Sequence, residues 1–138
     1  MASSSISSVY TGGMAFSTQL NGYPIIIDLQ KKDGGNNLGT SPKILMLVSL
    51  AGCTGVDVVS ILNKMKVDFS DLTINVEAHL TEEHPRIYDE VVVIYSIKVD
   101  KENQAKVKKA VDLSQETYCG VSEMFRAFSK LTSKIVYL

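Results

Sequence analysis

Two thiols give this chain its nucleophiles. Cys53 and Cys119 are its two cysteines, and Cys53 sits inside SPKILMLVSLAGCTGVDVVSIL, residues 41–62, a run apolar on almost every side. Gly52 and Gly55 lie close to it, although each glycine costs a helix roughly 1 kcal/mol relative to alanine. Glycines kept at that cost mark close approach of another backbone or helix. The ordinary fate of a core cysteine is to act as a small buried hydrophobe. Thr54 brings a hydroxyl beside the sulfur, and Asp57 lies one helical turn on, on the same face. A carboxylate there raises a thiol's pKa unless a cation intervenes. Asp57 also reads as a salt-bridge partner or surface residue. Cys119, between Tyr118 and Gly120, stands where a helix can begin. Backbone N–H groups at a helix N-terminus favour a thiolate. The strands between the two cysteines can double back, so their separation in sequence does not forbid a meeting in space.

Other candidate groups point to solvated surface rather than chemistry. His79 falls on the polar face of its strand and His84 in a turn. With no CxxC or HxxxH spacing, neither a metal site nor a cofactor is expected. Glu82 and Glu83 read as turn charges. No P-loop, dinucleotide fingerprint or GxSxG elbow is present. Lys106, Lys108 and Lys109 form a short basic cluster on one helix, and the formal net charge is −1. Nothing electrostatic therefore points to a nucleic-acid partner.

The elements that must position the thiols follow from pattern. SVYTGGMAFSTQLNGYPIIIDL reads as two hairpin-linked strands, roughly 13–20 and 23–29, with turn signals at Gly12-Gly13 and Asn21-Gly22. KKDGGNNLGT is an exposed loop. Ser41 as N-cap and Pro42 at the first helical position start a helix running to about residue 66. DLTINVEAHL alternates as a half-buried strand, with Leu72, Ile74, Val76, Ala78 and Leu80 on one face. TEEHPR is a turn, and DEVVVIYSIKV a strand apolar enough to be central. An amphipathic helix from residue 100 to about 115 presents Ala105, Val107, Ala110, Val111 and Leu113. VSEMFRAFSKL is helical and KIVYL a closing strand. The order predicts one α+β domain over residues 1–138, a sandwich of helices on a largely antiparallel sheet.

The 138 residues suffice for one core, and the composition, 45% hydrophobic and 21% charged, is that of a globular protein. The run from Ile44 to Leu62 has the length of a membrane span, but Ser49, Gly52, Thr54, Gly55, Asp57 and Ser60 interrupt it. It reads as a buried core helix, and no membrane partner is expected. No signal-peptide pattern opens the chain. A cytoplasmic location is expected, where two cysteines are reduced, reactive or redox-cycling rather than a permanent staple.

GTSPKILMLVSLAGCTGVDVV, the EEHPR turn and LSQETYCGVSEMF closely resemble the OsmC/Ohr family, the osmotically inducible protein C and organic hydroperoxide resistance group. The AGCT and EEHPR patterns are similar to its OsmC-like branch, and the resemblance runs from about Tyr10 to the C-terminus. It implies an α+β sandwich with long central helices and an intertwined homodimer whose site forms at the subunit interface. It implies that Cys53 is the peroxidatic cysteine and Cys119 the resolving one. A thiol peroxidase cycle would follow, in oxidative or osmotic stress defence. Cys53 would attack a hydroperoxide, an organic one held in an apolar pocket by preference, and become a sulfenic acid. Cys119 would condense with it to a Cys53–Cys119 disulfide, and a dithiol reductant, lipoyl-type or a small thiol, would restore both.

One departure stands out. Family members place a glutamate after the helix-starting proline, paired with an arginine from the N-terminal strands to activate the thiol. Here Lys43 and Ile44 follow Pro42, and no arginine precedes Arg86. Lys43 lies about 15 Å from Cys53 along a straight helix. Arg86, close to Glu83 in the EEHPR turn, is the other candidate cation. The missing pair favours a second reading, a small-molecule-binding or redox-sensing protein on the same fold without efficient turnover.

Overall fold

Asn21 and Gly22 both adopt positive φ, 51° and 82°, in the computed structural model of the chain, which describes residues 3–138. That is what a two-residue hairpin between right-twisted strands demands. The pair joins β2 (Ala15–Leu20) to β3 (Tyr23–Ile27), with Leu20 opposite Tyr23. A further strand, β1 (Ser8–Gly12), pairs antiparallel with β2. The N-terminal sheet thus has three strands, not the two expected from pattern. All five residues of β1 are exposed, so no apolar alternation marked it.

The second expected strand also stops early, at Ile27 rather than residue 29, because Asp28 draws the chain aside. Its buried carboxylate accepts the backbone N–H groups of Leu29, Asn36 and Leu38 at 2.7, 3.1 and 3.1 Å. The loop expected from composition is therefore ordered. It carries a 3₁₀ turn at Lys31–Asp33 and returns to bridge Ile27 with Thr40. It passes so near β3 that a Cβ on Gly39 would stand 2.0 Å from the Ile26 carbonyl oxygen.

The chain divides into two compact units, Met1–Met46 and Leu47–Leu138. The helix α1 (Pro42–Lys64) starts as expected, with the Ser41 carbonyl accepting the Leu45 N–H at 3.2 Å. It ends slightly early, where Lys66 turns left-handed with φ 57°. In the second unit β4 (Ser70–Leu80) pairs antiparallel with β5 (Tyr88–Lys98), and β6 (Lys130–Tyr137) lies parallel to β5 on its other side. The DEVVVIYSIKV segment is central, as its apolar run predicted. The strand pairing is largely antiparallel, as expected, and is divided between two sheets, one antiparallel and one mixed.

The helix expected over 100–115 is built in pieces. A 3₁₀ turn at Lys101–Asn103 leads into α2 (Gln104–Leu113), a π-helical turn at Ser114–Tyr118 follows, and α3 (Gly120–Phe128) comes next. Val107, Ala110 and Val111 are buried, while Ala105 is exposed, contrary to expectation. The core of this unit joins Leu50, Val58 and Leu62 of α1 to Val91, Val93, Tyr95 and Ile97 of β5 and to Phe125 of α3.

The larger correction concerns α1. It was expected to be a buried helix, yet its buried residues form one stripe, Leu50, Thr54, Val58 and Leu62. Val48 and Val56 are 56% and 70% exposed. By length and composition α1 is apolar enough to cross a membrane. Its Leu50–Leu62 stripe instead packs into the core described above.

Candidate functional site

α1 is regular through the two glycines, so Cys53 and Asp57, four residues apart, share a face. Gly55 approaches β4: an added Cβ would lie 2.9 Å from Ile74 Cδ1. A Cβ added at Gly52 would meet nothing within 4 Å, so among the described residues Gly52 does not serve close packing.

Cys119 arrives from the other side. The π-helical turn at Ser114–Tyr118 ends with Cys119 in extended conformation, as N-cap of α3. π-helical turns occur often at functional sites because the extra residue re-aims the side chains that follow. Cys119 is buried, 3% exposed, and its sulfur accepts the Ser122 N–H at 3.3 Å. The Val121 N–H acts on the Cys53 sulfur in the direction that favours its thiolate. The first turn of α3 thus addresses both sulfurs with backbone donors, as the helix-start reading of Cys119 anticipated.

The two thiols are free, and together with Asp57 they form one cluster. The two sulfurs and a carboxylate oxygen lie within 4.8 Å of one another. Ser114 Oγ donates to Asp57 Oδ2 at 3.0 Å and lies 2.8 Å from Thr54 Oγ1. Thr54 Oγ1 also bonds Tyr95 OH, which accepts from Gln115 Nε2 at 2.7 Å. The Thr54 hydroxyl, read from sequence as a donor beside the sulfur, is therefore committed to this buried network. Asp57 is held by it rather than set loose on the surface. Ser122 Oγ is fully buried and has no hydrogen-bond partner among the described residues.

The electrostatics work against ionising Cys53. Its pKa lies above its ordinary value of 9.0, first because of burial and then through the neighbouring Cys119 and Asp57; the Val121 N–H opposes this. No cation stands among these influences. Burial also pushes the Tyr95 hydroxyl up, partly offset by its bonds from Thr54 and Gln115.

The other sequence candidates stand elsewhere. Glu83 and Arg86 are exposed in the segment between β4 and β5. Among the described residues the ion pairs are His79–Asp89, Lys108–Asp112 and Arg126–Glu123, so Glu83 and Arg86 are not joined. His79 is exposed, and its Nδ1 lies 2.7 Å from Asp89, which raises its pKa. Lys43 occupies the first turn of α1. A cavity of about 390 Å³ opens against Asp57, lined also by Ile61, Lys64, Met65, Lys109 and Tyr118, while neither cysteine lines it. Sequence reasoning did not single out Tyr95, Ser114, Gln115, Val121 or Ser122. For four of them the one local signal was nearness to Cys119 in LSQETYCGVS.

Comparison with known proteins agrees with the sequence pattern. A family model described as OsmC-like protein matches residues 34–134. Protein YhfA of Escherichia coli (strain K12) is 31% identical over 112 residues, 81% of each chain. Among solved structures, a hypothetical protein from Aquifex aeolicus VF5 superposes with TM-score 0.80 at 27% identity, covering 100% of this chain and 99% of that one. An OsmC-like protein from Mycoplasma pneumoniae gives TM-score 0.83 at 14% identity, over 99% and 98% of the two chains. An organic hydroperoxide resistance protein from Elizabethkingia anophelis gives 0.72 at 14% identity, over 99% of each. The last two establish likeness of fold alone.

Proposed function

Because the chain belongs to the OsmC-like protein family, we propose that it is a cysteine-based peroxidase that reduces hydroperoxides, organic ones by preference. The observation that carries this reading is the pair of reduced thiols, Cys53 and Cys119, whose sulfurs lie within 4.8 Å at the N-terminus of α3. The Cys53 thiolate attacks the distal oxygen of the hydroperoxide, the alcohol leaves with a proton, and a sulfenic acid remains. Cys119 attacks that sulfur, water leaves, and a disulfide closes. A dithiol returns both thiols by exchange through a mixed disulfide. Apolar side chains near the site, such as Ile61 and Met65 of the cavity against Asp57, favour an alkyl tail at roughly 0.8 kcal/mol per buried CH₂.

The reading includes a homodimer. Val48, Gly52 and Val56 follow one another at four-residue spacing on an open face of α1, and a second copy is what we propose covers it. It also needs a positive charge near Cys53. Arg86, exposed beside Glu83, is assigned that role across the interface. In that case Arg86→Ala moves the pH–rate curve of Cys53 upward without changing the amplitude of the reaction.

A second reading, a redox sensor or binder of a small apolar molecule without efficient turnover, is favoured by the raised Cys53 pKa. Stopped-flow consumption of cumene hydroperoxide by the reduced protein, with thiols counted afterwards, separates the two. Fast loss of one peroxide and two thiols per chain supports the peroxidase. Cys53→Ser should then abolish consumption, whereas Cys119→Ser should complete one turnover and stall. Slow loss in the wild type, or equal turnover in both variants, removes the two-cysteine cycle.

A further inference from the structure

We propose that Cys53, Asp57 and Cys119 of the reduced chain form a binding site for a thiophilic divalent cation, with zinc as the representative ion. The two sulfurs and one carboxylate oxygen would be its ligands, leaving a fourth position open to water. This goes beyond the peroxidase reading and does not rest on it, since the property at issue is binding, not turnover.

Geometry carries the inference. Three ligand atoms from two elements already lie within 4.8 Å of one another. Zinc–sulfur bonds of about 2.3 Å and zinc–oxygen bonds of about 2.0–2.2 Å place tetrahedral ligands roughly 3.4–3.8 Å apart. The cluster therefore contracts by at most about 1.4 Å around an ion, a distance side-chain rotation covers. Two sulfurs with one carboxylate suit zinc rather than magnesium or calcium, which take oxygen ligands. Three protein ligands with one open position is a recurrent zinc arrangement.

The surroundings are those of a held ligand set. Ser114 Oγ donates to Asp57 Oδ2, which holds the carboxylate in place. The Ser122 N–H bonds the Cys119 sulfur. Such supporting hydrogen bonds orient metal ligands and are worth 10- to 100-fold in affinity. The cavity that opens against Asp57 offers a path for an ion and for the water at the fourth position. Two thiolates and a carboxylate at this distance repel one another, and no cation of the chain stands among the leading influences on Cys53 to offset that. A divalent ion does so directly.

Binding displaces protons: two thiols and one zinc ion give a zinc dithiolate and two protons, so uptake strengthens as pH rises. Zinc and a Cys53–Cys119 disulfide exclude each other. A hydroperoxide that takes two electrons from the bound thiolates, with two protons, leaves an alcohol, water, the disulfide and free zinc.

The test is competition for zinc between the reduced, metal-free full-length protein and a chromophoric chelator, under argon. One zinc per chain is expected. Cys53→Ser and Cys119→Ser should each abolish stoichiometric uptake, and Asp57→Asn should weaken it at least tenfold. Ser114→Ala should weaken it by about 10- to 100-fold. Far-UV circular dichroism checks that each variant is folded. Cobalt(II) added to the wild type should give a thiolate-to-metal charge-transfer band, which stands even if a variant fails to fold. The proposal is overturned if the wild type takes up no zinc, if cobalt gives no such band, or if uptake survives loss of either cysteine. Half a zinc per chain, which would put the ion between two copies, overturns it as well.

Discussion

Cys53 is caught between two opposed influences, and the balance sets its chemistry. The Val121 N–H favours its thiolate, while burial, Cys119 and Asp57 disfavour it and win. The reactive form is thus the minor one at neutral pH, and its fraction grows about tenfold per pH unit below the pKa. Without a cation from a second copy, the rate of Cys53 alkylation should climb steadily from pH 7 to beyond its ordinary value of 9.0, as it should in Arg86→Ala. A wild-type curve that levels off at lower pH than that variant's is what the proposed Arg86 charge predicts, and identical curves would remove it. Asp28 shows the opposite sign. The backbone N–H of Leu38, with those of Leu29 and Asn36, lowers its pKa below the ordinary 3.8, against the effect of burial. Above that value its ionised form stabilises the fold. As pH falls below it, the unfolded chain takes up the proton first, and the stabilisation is lost by the time pH has passed through the folded pKa. Asp28→Asn should flatten this acid limb and speed amide exchange at Leu29, Asn36 and Leu38. Unchanged exchange at all three would remove the anchoring role.

At the scale of elements, the π-helical turn decides the site. It brings Ser114 against Thr54 and Asp57, Gln115 against Tyr95, and delivers Cys119 to the start of α3. A regular helix from residue 104 onward would carry these side chains to other faces, since each residue advances it by a fixed angle. The network ties α1, β5 and this turn together through hydroxyls that are buried and mutually satisfied. Thr54→Val keeps the shape but removes the central hydroxyl, and leaves Ser114 and Tyr95 each short of a partner. The expected cost is about 1–3 kcal/mol in urea unfolding. A cost near zero would show that the network does not lock the turn. The pattern of LSQETYCGVS announced a helix interrupted near Cys119, but not the kind of interruption.

For the whole molecule, the open face of α1 is the outstanding feature. Val48 and Val56 lie exposed on an apolar helix, with Gly52 between them, where an added Cβ would meet nothing within 4 Å among the described residues. If a second copy covers that face, sedimentation will report twice the 15.1 kDa chain mass at micromolar concentration. Gly52→Ala will then shift the protein toward monomer, because its added methyl meets the partner. In an isolated chain the same change would stabilise α1 by about 1 kcal/mol. A 15.1 kDa species in the wild type would remove both the dimer and the proposed role of Arg86.

What the sequence determined by itself was local and periodic. Two-residue alternation marked β4, an unbroken apolar run marked β5 as central, Ser41-Pro42 set the start of α1, and Asn21-Gly22 set a hairpin. Each depends on residues close in the chain, where propensity and pattern act directly. The cysteines, with the motifs around them, also sufficed for the family. Tertiary structure alone decided which groups meet. Asp57 was ambiguous because a carboxylate's partners lie across the fold, here Ser114 and the two thiols. β1 was missed because an exposed strand has no buried face to impose alternation, and its order comes from pairing with β2. The apolarity of α1 implied burial but not by what. Within the chain the core takes one stripe of the helix, because a helix packing on a single layer can bury only the side that faces it.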